Sequence, residues 1–125
     1  MAKILVVDDD NDIIIYLGTL LRDNGFDVIE ALNGKEGFEK ALSEKPDLIC
    51  LDISMPEESG VKAYRNLTEN EVTKDIPIFI VTGVAHDFKN FIETRKQVPP
   101  PVAYFDKPID KDDFISKIKS VLKIK

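Results

Sequence analysis

Four apolar runs in this chain each deliver a polar side chain at their C-terminal end. Ile4-Leu5-Val6-Val7 runs into Asp8-Asp9-Asp10, and Leu48-Ile49-Cys50-Leu51 runs into Asp52. Ile78-Phe79-Ile80-Val81 is closed by Thr82, and Ala103-Tyr104-Phe105 is followed shortly by Lys107. Brought together, carboxylates, a hydroxyl and an ammonium suit a divalent cation and a phosphoryl group. Converging carboxylates repel one another: at an effective dielectric of about 20, one pair ~4 Å apart costs about 4 kcal/mol. Such a cluster must take up protons, pair with a cation or bind a metal. Oxygen donors with no His or Cys beside them favour Mg²⁺ or Mn²⁺ over zinc. Asp52 is the candidate nucleophile, because a carboxylate can attack phosphorus and form an acyl phosphate. Lys107 offers a point charge, and Thr82 a hydroxyl, to the phosphoryl oxygens.

Each of these residues alone has a blander reading. Asp8 to Asp12 could merely cap a helix, Asp52 could open a loop, Thr82 could end a strand and Lys107-Pro108 could form a turn. Their joint placement at the ends of four apolar runs is what favours a site. His86 is the one histidine; it has no evident partner and reads as a surface residue at a helix start.

Holding such a set together takes an open parallel sheet, in which ligands bind beyond the C-terminal ends of the strands. The apolar runs are short, nearly unbroken and rich in β-branched residues, as in strands covered on both faces. Strands are predicted near 3–7, 27–31, 48–52, 77–82 and 102–106, and helices near 11–24, 34–44, 60–70, 86–96 and 110–123. Gly25 can take the left-handed conformation that stops the first helix. Asn33 and Glu36 resemble a capping box, and Asp110 can cap the last helix, with Asp112 and Asp113 in its first turn. Phe114, Ile118, Val121 and Leu122 give that helix one apolar face. The order is five β/α units with right-handed crossovers, a doubly wound α/β domain. A common order for five such strands is 2-1-3-4-5, whose switch point between strands 1 and 3 is where Asp8, Asp9 and Asp52 fall.

The 125 residues fit one domain, residues 1–125, with 43% hydrophobic and 32% charged residues. The net charge of -6 argues against direct nucleic-acid binding. No apolar stretch reaches the ~18 residues of a membrane span, and the N-terminus lacks the apolar segment of a secretory signal. The single cysteine, Cys50, excludes an intrachain disulfide and reads as a buried thiol. A cytoplasmic protein with no membrane association is the expectation.

In combination and order, Ile4-Leu5-Val6-Val7-Asp8-Asp9, Leu51-Asp52-Ile53-Ser54-Met55-Pro56, Val81-Thr82-Gly83 and Lys107-Pro108 resemble the receiver domain of two-component response regulators, as in chemotaxis receivers. The resemblance spans essentially the whole chain and implies a flavodoxin-like, three-layer (βα)5 sandwich. It implies that Asp52 accepts a phosphoryl group from a histidine kinase or phosphotransfer protein. Asp9 would then bind Mg²⁺ (or Mn²⁺) directly, Asp8 mostly through water, with Asp52 and the backbone carbonyl of Ser54 as further ligands. Thr82 and Lys107 would hold the phosphoryl oxygens. Tyr104 matches the family's switch aromatic, whose ring turns inward as the Thr82 hydroxyl moves toward the phosphoryl group. That change would reshape the face formed by the fourth helix, fifth strand and fifth helix, which is also compatible with homodimerisation. Ser54 and Val84 occupy the positions that tune hydrolysis, and an apolar Val84 cannot orient an attacking water.

Two features depart from the family pattern: Ser59-Gly60 stands where Asp-Gly is common, and Pro100-Pro101-Val102-Ala103 precedes the fifth strand where Gly-Ala is usual. Ser59 can still cap the third helix, while the prolines stiffen the approach to the fifth strand. The resemblance implies a phosphoacceptor with intrinsic autophosphorylation and autodephosphorylation activity, not a metabolic enzyme. It would act alone through protein contacts, or as the receiver of a regulator whose effector domain follows at the C-terminus. Two competing readings are a small Mg²⁺-dependent phosphatase resembling the haloacid dehalogenases, with Asp8 as nucleophile, and a degenerate receiver serving only as a binding module.

Overall fold

The computed structural model describes residues 2–52, 59–82 and 101–123. Five strands, β1 (Lys3–Val7), β2 (Asp27–Ala31), β3 (Leu48–Leu51), β4 (Ile78–Thr82) and β5 (Ala103–Asp106), alternate with helices along the chain. The helices are α1 (Asn11–Asp23), α2 (Gly34–Glu44), α3 (Ser59–Glu69) and α4 (Lys111–Leu122). α4 is the fifth helix predicted from sequence; the fourth, near 86–96, lies outside the described residues, as do Ser54, Val84 and His86.

All strand pairs are parallel and the order is β2-β1-β3-β4-β5. Successive residues of a strand face opposite sides of the sheet, and the two cores divide accordingly. Leu5, Val7, Ile49, Leu51, Ile78 and Ile80 pack with Ala41 of α2 and Ala63, Tyr64 and Leu67 of α3. Ile4, Val6, Leu48, Cys50, Phe79, Val81 and Phe105 pack with Ile14, Leu17 and Leu21 of α1 and Phe114 and Ile118 of α4. The sheet is thus the middle of three layers. Burial on both faces is why β1, β3 and β4 read as nearly unbroken apolar runs. It also pushes the Cys50 thiol pKa up, so that thiol is a packing group.

Element boundaries have local causes. α1 stops in a Schellman arrangement: Gly25 N–H donates to Arg22 O at 3.0 Å and Phe26 N–H to Leu21 O at 3.1 Å. Gly25 takes φ 89 there, a conformation that costs an L-residue roughly 1–2 kcal/mol. Asn33 Oδ1 accepts from Glu36 N–H at 2.8 Å, and Asp110 Oδ1 from Asp113 N–H at 3.1 Å, so both predicted caps form. Each is worth about 1 kcal/mol.

β1 and β2 have the predicted ends, and β3, β4 and β5 are each one residue shorter at one end. Pro77 lends its carbonyl to Ile49 N–H at 3.0 Å but has no N–H of its own, so β4 begins at Ile78. β3 ends at Leu51, yet the Asp52 N–H still donates to Val7 O at 3.0 Å. That bond pins Asp52 to the end of β1.

Candidate functional site

Four strand ends at the C-terminal edge of the sheet supply the site. Asp8 is the first residue beyond β1, Asp52 the first beyond β3, Thr82 the last of β4 and Lys107 the first beyond β5. The ladder fixes their backbones. Asp8 N–H donates to Ala31 O at 3.1 Å, Asp52 N–H to Val7 O at 3.0 Å, and Lys107 N–H to Thr82 O at 3.2 Å. Beneath the β5 end, Phe79, Phe105 and Phe114 form an edge-packed trio, with centroids 5.3, 6.2 and 5.2 Å apart. These contacts hold α4 against β4 and β5 and so fix the turn that carries Lys107. The Lys107–Pro108 peptide bond in this turn is cis.

The side chains of Asp8, Asp9, Asp52 and Lys107 lie close together. Lys107 Nζ lies 2.7 Å from Asp8 Oδ2 and 3.3 Å from Asp52 Oδ2. Asp8 and Asp52 are buried, at 2% and 3% exposure, while Asp9 is exposed. The other Asp8 oxygen accepts from the Asp10 N–H at 2.9 Å, so both of its carboxylate oxygens are engaged. One carboxylate oxygen from each of Asp8, Asp9 and Asp52 falls within 4.8 Å of the others. Thr82 is fully buried, one strand away from Lys107 and in register with Asp106. Tyr104 is half-buried and faces the α3 side of the sheet, in register with Ile80. The two remaining site residues expected from sequence, Ser54 and Val84, have no described geometry.

The electrostatics are those of a crowded acidic site. Burial drives the Asp8 pKa up and the Asp52 charge adds to this, while hydrogen bonds from Lys107 and the Asp10 backbone pull it down; the balance is a raised value. For Lys107, burial opposes the charged ammonium. The Asp8 hydrogen bond and the charges of Asp52 and Asp8 outweigh it, so its pKa is raised as well. Three carboxylates against one ammonium leave the cluster two formal charges negative. The donors are all hard oxygens and His and Cys are absent from the cluster, so it fits a divalent cation of the Mg²⁺ type.

Sequence reasoning passed over Tyr64. It is fully buried in α3 within the cluster on which Tyr104 packs. Its helical spacing with Val61 and Leu67 was the available signal.

Comparison with known proteins shows the family and the fold. Residues 4–119 match the family described as the response regulator receiver domain. The chain is 35% identical to Protein PilH of Pseudomonas aeruginosa over 122 residues, covering 98% of each chain. It is 32% identical to the alkaline phosphatase synthesis transcriptional regulatory protein PhoP of Bacillus subtilis, covering 97% of this chain but 48% of that one. Among solved structures, a CheY-like response regulator receiver domain protein from Methanospirillum hungatei superposes with a TM-score of 0.84 at 27% identity, covering 98% of this chain and 94% of that one. Among the described residues, no helix is long and apolar enough to cross a membrane.

Proposed function

Because the chain belongs to the response regulator receiver domain family, we propose that Asp52 is its phosphoacceptor, loaded by a histidine kinase or phosphotransfer protein. The observation that carries this reading is the bridge from Lys107 Nζ to Asp8 and Asp52, at 2.7 and 3.3 Å, inside the acidic cluster. An Asp52 oxygen attacks the phosphorus of a phosphohistidine. A P–O bond forms as the P–N bond breaks, and the electron pair leaves on the imidazole nitrogen. The Lys107 ammonium is already where the transferred group brings negative charge, and little reorganisation is needed to meet it. Thr82 ends the neighbouring strand, and its hydroxyl is assigned to a phosphoryl oxygen.

Asp8, Asp9 and Asp52, with the backbone carbonyl of Ser54, are the residues assigned to hold Mg²⁺ (or Mn²⁺). The cation supplies charge neutralisation of the phosphoryl oxygens. Asp8, with both oxygens engaged by Lys107 and the Asp10 N–H, is suited to a supporting role. The module is a phosphoacceptor that also loses its phosphoryl group by its own hydrolysis, rather than a metabolic enzyme. Output runs through Thr82 and Tyr104 to the face of β5, α4 and the helix predicted near 86–96, where a downstream protein, an effector domain or a second copy docks. A cytoplasmic setting suits this role.

The test is incubation with acetyl phosphate and Mg²⁺ followed by intact-mass and peptide-mass measurement. One added phosphoryl group on Asp52, removable by hydroxylamine, supports the assignment; none, or one on Asp8, contradicts it. A second expectation concerns lifetime. With Val84 unable to orient water, the phosphoprotein should persist for minutes or longer at neutral pH. Loss within seconds in a phosphate-release assay contradicts this.

A further inference from the structure

Tyr64 is the bulkiest of the fully buried described side chains, at 1% exposure. It lies on α3, the helix that follows the Asp52 loop, and its cluster includes Ile80 of β4. Tyr104 is in register with Ile80 on the adjacent strand and packs on this same cluster, remaining half-buried. The two rings therefore belong to one packed region on the α3 face, next to the strand that ends in Thr82. Burial is the main cause that pushes the Tyr64 phenol pKa up, and Tyr104 adds to it, so the two phenols are within electrostatic reach. Interiors are close-packed and do not deform continuously. A ring that turns further into this region must find volume there, and Tyr64 is the largest buried side chain of the cluster.

We propose that Tyr64 is a positioning residue for the switch: its ring is the wall that keeps Tyr104 half-buried and so sets the proportion of inward-turned rings before any phosphoryl group is bound. The proposal rests on the reading of Tyr104 as the switch aromatic. Shortening Tyr64 to leucine removes part of the wall, and an inward-turned Tyr104 fills the space that would otherwise be a costly void. A larger competent fraction tightens apparent affinity for a phosphoryl mimic by the same factor. Tyr64→Phe keeps the ring and therefore most of the wall.

The experiment is ¹⁹F NMR of the full chain labelled with 3-fluorotyrosine, titrated with beryllofluoride and Mg²⁺. The chain has three tyrosines, and Tyr16 on α1 reports from the other side of the sheet. In Tyr64→Leu, the resting Tyr104 signal should move toward its beryllofluoride position, Tyr16 should stay, and beryllofluoride should bind about threefold tighter or more. Tyr64→Phe should stay closer to wild type than Tyr64→Leu in both respects. Should Tyr64→Leu fail to fold, Tyr64→Met, with a more adaptable side chain, carries the same expectation. A resting Tyr104 signal and an affinity unchanged in the shortened variants, with only the melting temperature lowered, overturn the proposal and leave the switch reading intact. A wild-type Tyr104 signal that ignores beryllofluoride overturns both.

Discussion

Asp52→Asn is expected to lower phosphoryl uptake from acetyl phosphate or a phosphohistidine donor by on the order of 10³-fold or more. The carboxamide has nearly the same shape but is not a nucleophile toward phosphorus, so the chemistry fails while the fold survives. Asp52 is anchored by its own N–H to Val7 O at 3.0 Å, a bond the substitution leaves in place. Lys107 keeps its shorter contact to Asp8, at 2.7 Å. Circular dichroism should therefore be unchanged while the phosphoryl mass gain disappears. Uptake retained in the variant would place the nucleophile elsewhere, with Asp8 the first suspect and a dehalogenase-type phosphatase the alternative.

The second large effect is electrostatic. In the folded protein the Asp8 carboxyl holds its proton more tightly than in the unfolded chain, because burial and the Asp52 charge disfavour its ionised form. Between the ordinary aspartate value near ~3.9 and the raised folded value, the folded state binds more protons than the unfolded state. By linkage, stability then falls as pH rises. The contribution of Asp8 is fully present below its unfolded pKa and is lost as pH climbs through its folded one. Metal-free protein should accordingly lose stability as pH rises across that window, and Mg²⁺ should restore it above the window. At a hundred times its Kd, Mg²⁺ adds about 2.7 kcal/mol. Asp8→Asn removes one of the crowded charges. In EDTA above that window it should raise the melting temperature by about 3–5 °C, on the order of 1 kcal/mol, and flatten the pH dependence. Its Mg²⁺ affinity should fall by at least about tenfold. A melting temperature that drops in EDTA would show that the Asp8–Lys107 pair stabilises more than the crowding costs.

Much of this was legible in the residues because physical causes acted locally. The apolar runs of β1, β3 and β4 are strands because burial on both faces demands nearly unbroken hydrophobic residues. Asp8, Asp52, Thr82 and Lys107 stand out because each interrupts or follows such a run. Asn33, Asp110 and Gly25 announced helix ends through side-chain oxygens or backbone freedom. Other features had no local signal. Lys45 and Lys123 take left-handed conformations at φ 48 and φ 58, which nothing in a lysine side chain favours. The difference in burial between Asp8 and Asp9 depends on which neighbour turns toward the sheet edge. The Lys107–Asp8 bond joins residues 99 apart in sequence, a distance no local pattern spans. Tyr64 was readable as a core position from its spacing. Its neighbourhood with Tyr104 depends on how α3 lies over β4 and β5.

The central claim is that a phosphoryl group resides on Asp52, held by Lys107 and Thr82. Its most direct test is a crystal structure of the protein with beryllofluoride and Mg²⁺, a mimic of the phosphorylated carboxylate. The expected result is the mimic on an Asp52 oxygen, contacted by Lys107 Nζ and the Thr82 hydroxyl, with the metal among Asp8, Asp9 and Asp52, and none of it in Asp52→Asn. The mimic on Asp8, or no bound mimic at all, would contradict the claim.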